Sequence, residues 1–197
     1  MAKVVGRQSD VDHYTGRLAL LKAKYHELYF DAAAGKYSEA GTAAHIQSHQ
    51  VFPLYLGLVP VAEQPKVVAA LVAAVHNQSE HVNCGIIGSR FLLETLTRFG
   101  HADLALTVAT NPTCPGWGYM VEQRPDGANK SHDTPGTMWE TWQDVHGGGV
   151  SKNHPALGGG VGVWLYQLAG KTLPLSCFHS VRVLKRWCLC LVFPLHS

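Results

Sequence analysis

Apolar residues recur at three- and four-residue steps along most of this chain, which is the period of a helix with one buried face. Leu18, Leu21, Tyr25 and Leu28 mark the first such stripe and predict a helix from about Val11 to Phe30. Asp31-Ala-Ala-Ala-Gly35-Lys reads as a turn. A second helix is expected from about Ala40 to Leu56, with Pro53 kinking it or ending its regular part. Gln64-Pro65 suits a helix start, and Val67, Leu71, Ala74 and Val75 supply the third stripe. Asn83 to Gly88 reads as a glycine-bounded connection. A fourth helix follows from about Arg90 to Phe99, stopped by Gly100, and a fifth from about Ala102 to Thr110, stopped before Asn111-Pro112. Residues 111–158 are loop-rich, and a sixth helix is expected from about Val161 to Ala169. No strand alternation or hairpin signal competes up to Gly170.

Helix, short loop, helix, with no βαβ unit, gives an all-α class. Antiparallel helix pairs of this kind build bundles, solenoids or α/α toroids. At 197 residues the chain is nominally one domain with room for a sizeable core. The segment from Lys171 to Ser197 departs in character, with no glycine, no acid and three of the five cysteines.

Charge and composition mainly exclude. A formal charge of +2 gives no case for nucleic acid as a partner. MAKVVGRQSD lacks the apolar core of a signal peptide, and no run is long enough to span a bilayer. The expectation is a chain without a membrane partner, cytoplasmic by default. Five irregularly spaced cysteines, Cys84, Cys114, Cys177, Cys188 and Cys190, give no disulfide framework and read as mostly free thiols. His45 and His49 lie four apart but have no HExxH pattern and no evident third ligand, so no metal is expected. No motif asks for a cofactor. The Gly147 and Gly158 triplets follow no strand and make poor phosphate loops.

The chemistry gathers between Asn111 and Gly170. Glu140 stands between Trp139 and Trp142, with Trp117 and Tyr119 upstream and His154-Pro155 downstream. Aromatic faces stack on the C–H faces of a pyranose, and fixed polar groups pair with its hydroxyls. A carboxylate in such a wall can act as an acid or a base. The alternative for Glu140 is a solvated acid in a turn. For His154 it is a loop histidine bonded to nearby backbone, and for each aromatic it is the core.

GWGYM, a Trp-Glu-x-Trp centre, NHP followed by WLYxxLAG, the stretch GTAAHIQSHQVFPLYLGLVP and the stretch HVNCGIIGSRFLLETLTRFGHADLAL occur in that order. Together they resemble the C-terminal part of the catalytic domain of bacterial-type α-L-rhamnosidases. The resemblance runs roughly from Asp12 to Gly170. It implies about half of an (α/α)6 barrel, a partial six-hairpin toroid, since the full barrel needs about twelve helices. It sets the expected domain at residues 11–170, between an N-terminal extension, 1–10, and an atypical tail, 171–197. It implies that Glu140 is the general base of an inverting hydrolysis, that His154 contacts the sugar, and that Trp139 lines the site. Family members commonly carry Arg after this Glu, where Thr141 stands here.

Inverting hydrolysis needs a second carboxyl as acid, about 6.5–9.5 Å from the base. In the family that acid lies in an earlier segment rich in Asp, Glu and Trp, which this chain does not contain. The expectation is therefore a rhamnosidase-like fragment that acts on a rhamnoside or other carbohydrate and is inactive alone. Its partner would be the missing N-terminal half or further copies of itself, since stripes such as Leu18/Leu21/Tyr25/Leu28 lack partners. The alternative is a non-catalytic helical scaffold or carbohydrate-binding remnant.

Overall fold

Three helices that start at the same end form one wall of the protein. They are α2 (Ile46–Tyr55), α4 (Ile86–Arg98) and α7 (residues 160–167). The computed structural model describes residues 1–39, 46–121, 140, 142, 151, 154 and 160–167. The register of side-chain contacts shows that these helices run parallel. Gly88 lies against Ser48, where an added Cβ would collide with the serine hydroxyl. Further along, the Phe52 and Phe91 rings stand 6.3 Å apart, and the Arg98 guanidinium donates to the Tyr55 carbonyl at 3.1 Å. On the other flank of α4, Gly160 rests on the backbone of Arg90, and Trp164 Nε1 donates to Thr97 Oγ1 at 2.7 Å.

Behind this wall run α3 (Gln64–His76), packed on α2, and α5 (Ala102–Thr110), packed on α4. Short connections make each pair antiparallel. The core lies between the two rows. It contains Val51 and Leu54 from α2, Val67, Leu71 and Val75 from α3, and Leu92, Leu93 and Leu96 from α4. Burying each such side chain contributes about 1.5–3 kcal/mol. This alternation of front and back helices is the expected partial helical toroid.

Glycines punctuate the pairs where they were expected and also where they were not. Gly100, at φ +89°, ends α4: its N–H bonds Thr97 O, and the His101 N–H bonds Leu96 O at 2.8 Å. Gly57, at φ +63°, closes α2 in the same way, with Leu58 N–H on Pro53 O at 2.8 Å. Pro53 therefore does not end α2; it sits inside it, buried. Likewise α4 begins at Ile86, four residues before the expected start. Gly88, expected in a connection, is helical because its bare backbone lets α4 approach Ser48.

The turn at Asp31 contains a small hairpin that no strand pattern announced. Strand β1 (Phe30–Asp31) pairs antiparallel with β2 (Lys36–Tyr37). Asp31 Oδ1 accepts the N–H groups of Ala33 and Ala34, and Gly35 takes φ +63°. Helix α1 (Gln8–Tyr29) leads into this hairpin and has no buried residue. Its predicted stripe faces solvent, with Leu18 47%, Leu21 59% and Leu28 68% exposed. Tyr25 alone of that stripe packs on the core. Among the described residues no helix is long and apolar enough to cross a membrane. The tail 171–197 lies outside the described residues.

Candidate active site

Helices α2, α4 and α7 begin, and α3 and α5 end, at one end of the helix array. The loop after α3 and the segment after α5 meet there. The loop after α3 reaches α2 through Gln47, which is fully buried. Gln47 Nε2 donates to His81 O at 2.8 Å, and its Oε1 accepts the Asn83 N–H at 2.8 Å. The segment after α5 is tied to the same loop. Val82 N–H bonds Pro115 O at 3.3 Å, and Asn111 Nδ2 donates to the carbonyls of Ser79 and Glu80. Both of those residues have positive φ, 51° and 58°, which an L side chain resists. The Asn111 amide supports the strained turn.

From there the network reaches Trp142. The Cys114 thiol, raised by partial burial, stays protonated and donates to Trp142 O at 3.3 Å. The Trp117 and Trp142 rings meet edge to face at 5.2 Å. Trp117 opens the short helix α6 (Trp117–Val121) and is fully buried. Gly118 beside it presses on the carbonyls of Thr110 and Asn111, where a side chain has no room. Trp117 is thus a core anchor. Trp142 and Tyr119 are half-buried and pack on the same core.

Glu140 stands two residues before Trp142 and is held twice by Ser151. Its N–H donates to Ser151 O at 2.9 Å, and its carboxylate Oε2 accepts the Ser151 N–H at 2.8 Å. One carboxylate oxygen is thereby fixed. His154 follows Ser151 by three residues, so its backbone lies within about 11 Å of Ser151's. The two residues belong to one short stretch. His154 is half-buried, and its Nδ1 is buried with no partner. Such a nitrogen is costly unless a ligand or water satisfies it. Trp139, Thr141, Asn153 and Pro155 lie outside the described residues, as does His45.

Sequence reasoning missed the two glutamines that place these loops. Gln50, 1% exposed, pairs its amide with both the N–H and the C=O of Tyr37, at 2.9 and 2.7 Å. Gln47 does the same for the loop at 81–83. Their signal was visible: two amides three apart, which share one face of a helix. A separate cavity of about 270 Å³ opens by the hairpin, lined by Tyr25, Tyr29, Tyr37, Ser38, Glu39 and His49. Burial pushes the Tyr37 phenol up to about 12, so it stays protonated and shares a 2.8 Å hydrogen bond with His26 Nδ1.

Residues 1–169 match the family model described as the bacterial alpha-L-rhamnosidase 6 hairpin glycosidase domain. The chain belongs to that family. An alpha-L-rhamnosidase of Streptomyces avermitilis is 31% identical over 173 residues, which is 84% of this chain and 15% of the relative. One from Formosa agariphila is 25% identical over 173 residues, covering 81% of this chain and 18% of the relative. The rhamnosidase fold is matched as well. The structure of alpha-L-rhamnosidase from Dictyoglumus thermophilum superposes with a TM-score of 0.70 at 27% identity, over 84% of this chain and 17% of that one. The Streptomyces avermitilis alpha-L-rhamnosidase complexed with L-rhamnose gives 0.67 at 30% identity, over 86% and 15%. The chain thus spans under a fifth of the length of these rhamnosidases.

Proposed function

We propose that this chain supplies the general-base side of an inverting α-L-rhamnosidase site. Glu140 is the base and His154 a sugar contact, with Trp139 the expected ring beside them. The observation that supports this reading is the clamp on Glu140. A base must hold one oxygen still and offer it to water. The Ser151 amide holds Oε2, and Oε1 is the oxygen assigned to water in this reading. In the step, Oε1 accepts a proton from water. The water oxygen bonds to the anomeric carbon from the face opposite the leaving group, and the glycosidic C–O bond breaks. The departing oxygen takes its proton from a carboxylic acid that this chain does not supply. That acid belongs to a partner, a preceding part of the same barrel. The product is the inverted anomer.

His154 fits as the sugar's hydrogen-bond partner because its buried Nδ1 is unsatisfied. A hydroxyl supplies the missing bond in either tautomer. Rhamnose is the sugar named for a matched structure, so a terminal rhamnoside is the proposed substrate. The proposed domain limits are 11–170, with 171–197 apart from the fold.

The test is reconstitution. The chain is combined, by fusion or co-expression, with the N-terminal part of a related rhamnosidase barrel, and an aryl α-L-rhamnoside is assayed. Turnover with inversion should appear. E140Q should remove most of it, since loss of general-base help costs on the order of 10²–10⁴ in rate. H154A should mainly raise KM. An active hybrid in which E140Q is nearly silent refutes the base assignment. Rhamnose binding without turnover in any hybrid favours the carbohydrate-binding remnant.

A further inference from the structure

We infer that the cavity beside the hairpin is a second carbohydrate subsite, which holds one sugar ring against Tyr25, Tyr29 and Tyr37. It shares no residue with the site at Glu140 and goes beyond the reading above. Three elements build it. Tyr25 and Tyr29 stand four apart near the end of α1 and so share a face. Tyr37 comes from β2, with Ser38 and Glu39 following it. His49 comes from the first turn of α2 and is half-buried. That turn also carries Gln47, so the cavity lies at the end of the array where the loop after α3 is held. The Tyr25 ring packs on both other rings, with centroids 5.0 Å from Tyr29 and 5.5 Å from Tyr37. The three rings form one continuous wall.

Bonds that need no ligand fix this wall. The buried Gln50 amide pairs with both main-chain groups of Tyr37, and the Tyr37 hydroxyl is engaged by His26 Nδ1. The Tyr29 carbonyl accepts the Ser38 N–H at 3.0 Å, which ties the end of α1 to the chain leaving β2. Burial, then the neighbouring Tyr29 and Glu39, push the Tyr25 phenol up. It stays a hydroxyl, able to donate and to accept. A surface set in advance loses less freedom when a ligand arrives.

The lining decides the ligand class. An organic cation needs ring faces around it, whereas these rings pack on one another and present a single wall. An anion is opposed by Glu39. A wholly apolar ligand would bury Glu39 and His49 without giving either a hydrogen bond. Among the described residues no group of three or more His, Cys, Asp or Glu could hold a metal. A sugar satisfies both kinds of lining. Its C–H face stacks on the tyrosines, and its hydroxyls pair with Ser38, Glu39 and His49. The volume of about 270 Å³ falls below the roughly 300–1,000 Å³ of drug-sized pockets, which suits one ring. Two sources supply such a ring: a further unit of the substrate held at Glu140, or a separate glycan.

The experiment nitrates the full chain with tetranitromethane and reads each tyrosine by peptide mass spectrometry. The probes are methyl α-L-rhamnopyranoside and methyl β-D-glucopyranoside, up to about 100 mM because one stacked ring binds in the millimolar range. Either glycoside should slow nitration of Tyr29, 38% exposed, in a saturable way and leave Tyr14, 63% exposed, unchanged. Tyr25→Leu should raise the half-protecting concentration about three- to tenfold. His49→Ala should raise it similarly, which keeps the test open if Tyr25→Leu does not fold. Leu28→Ala, exposed on α1 outside the cavity, should leave it unchanged. No protection by either glycoside overturns the subsite. So does protection that neither Tyr25→Leu nor His49→Ala weakens, or protection by tetramethylammonium alone. An α-L-rhamnosyl-glucose disaccharide separates the sources. For a further substrate unit it protects at lower concentration than either methyl glycoside, and H154A removes that advantage. For a separate glycan there is no advantage, and both results support the subsite. Protection by a methyl glycoside involves neither Glu140 nor His154. Its failure leaves the base assignment standing, and a silent E140Q in the hybrid leaves the subsite standing.

Discussion

Replacing Gln47 by leucine removes one side chain and leaves two backbone groups without partners. The His81 carbonyl loses a 2.8 Å bond and the Asn83 N–H loses another. Both groups are partly buried, and each orphaned group costs about 1–3 kcal/mol. Leucine fills a similar volume, so the cavity contribution is small. The sum is about 2–6 kcal/mol, a large share of the roughly 5–15 kcal/mol typical of a folded domain. At this chain length, where 1 kcal/mol shifts Tm by about 2–4 °C, that lowers Tm by roughly 4–24 °C. Urea unfolding followed by circular dichroism should show an earlier midpoint with an unchanged slope. Amide exchange should speed up first in residues 77–85, the loop that Gln47 holds. A companion, Gln47→Glu, separates hydrogen bonding from packing. At neutral pH its carboxylate still accepts from Asn83 but opposes the His81 carbonyl in a buried place. Protonation restores a donor, so this variant should gain stability relative to the parent as pH falls through the carboxylate range. If Gln47→Leu melts within about a degree of the parent and exchange at 77–85 is unchanged, Gln47 does not place the loop.

Three further outcomes test other parts of the structure. Cys84 is buried and its thiol is pushed up to about 12 by that burial. It should resist iodoacetamide at pH 7.5 in the folded chain, while exposed Cys114 labels faster; equal rates by peptide mass spectrometry would contradict the packing around Cys84. Gly118→Ala should cost about 1–3 kcal/mol by thermal melting, because the methyl meets the Thr110 and Asn111 carbonyls. Gly162→Ala, with open space around it in α7, should be neutral or stabilising, and equal losses for the two would refute the contact. Changing Leu18, Leu21 and Leu28 together to glutamine should reduce light scattering and shift Tm by no more than about 2 °C. A large drop in Tm would show that the stripe is packed.

The helices were legible because their apolar positions repeat with the helical period, as Val67, Leu71, Ala74 and Val75 do in α3. Gly100 was legible because a C′ glycine needs only local backbone. What escaped was set by contacts between distant residues. Gly88 is helical because Ser48 stands opposite. Pro53 is tolerated because the fold places it in a buried helix that closes at Gly57. The hairpin at Asp31 is two residues per strand, too short for any alternation to show. In the site, the Trp-Glu-x-Trp segment was found from its residue types, but the clamp from Ser151 joins positions eleven apart, with no spacing pattern to announce it. Gln47 and Gln50 reach 34 and 13 residues along the chain, and no periodicity reports such a span.

A side-chain amide that pairs with the main chain of a loop is indifferent to the side chains of that loop. Gln47 fixes where residues 81 and 83 sit without constraining what they are, and Gln50 does so for residue 37. Placement and identity are thus specified by different parts of the molecule. A loop held in this way can exchange its own side chains, and with them the shape offered to a ligand, while the scaffold beneath stays in register. The cost is concentrated in two glutamines. A change at either one disturbs a whole loop, whereas a change of side chain at His81 or Asn83 leaves their main-chain bonds to Gln47 in place.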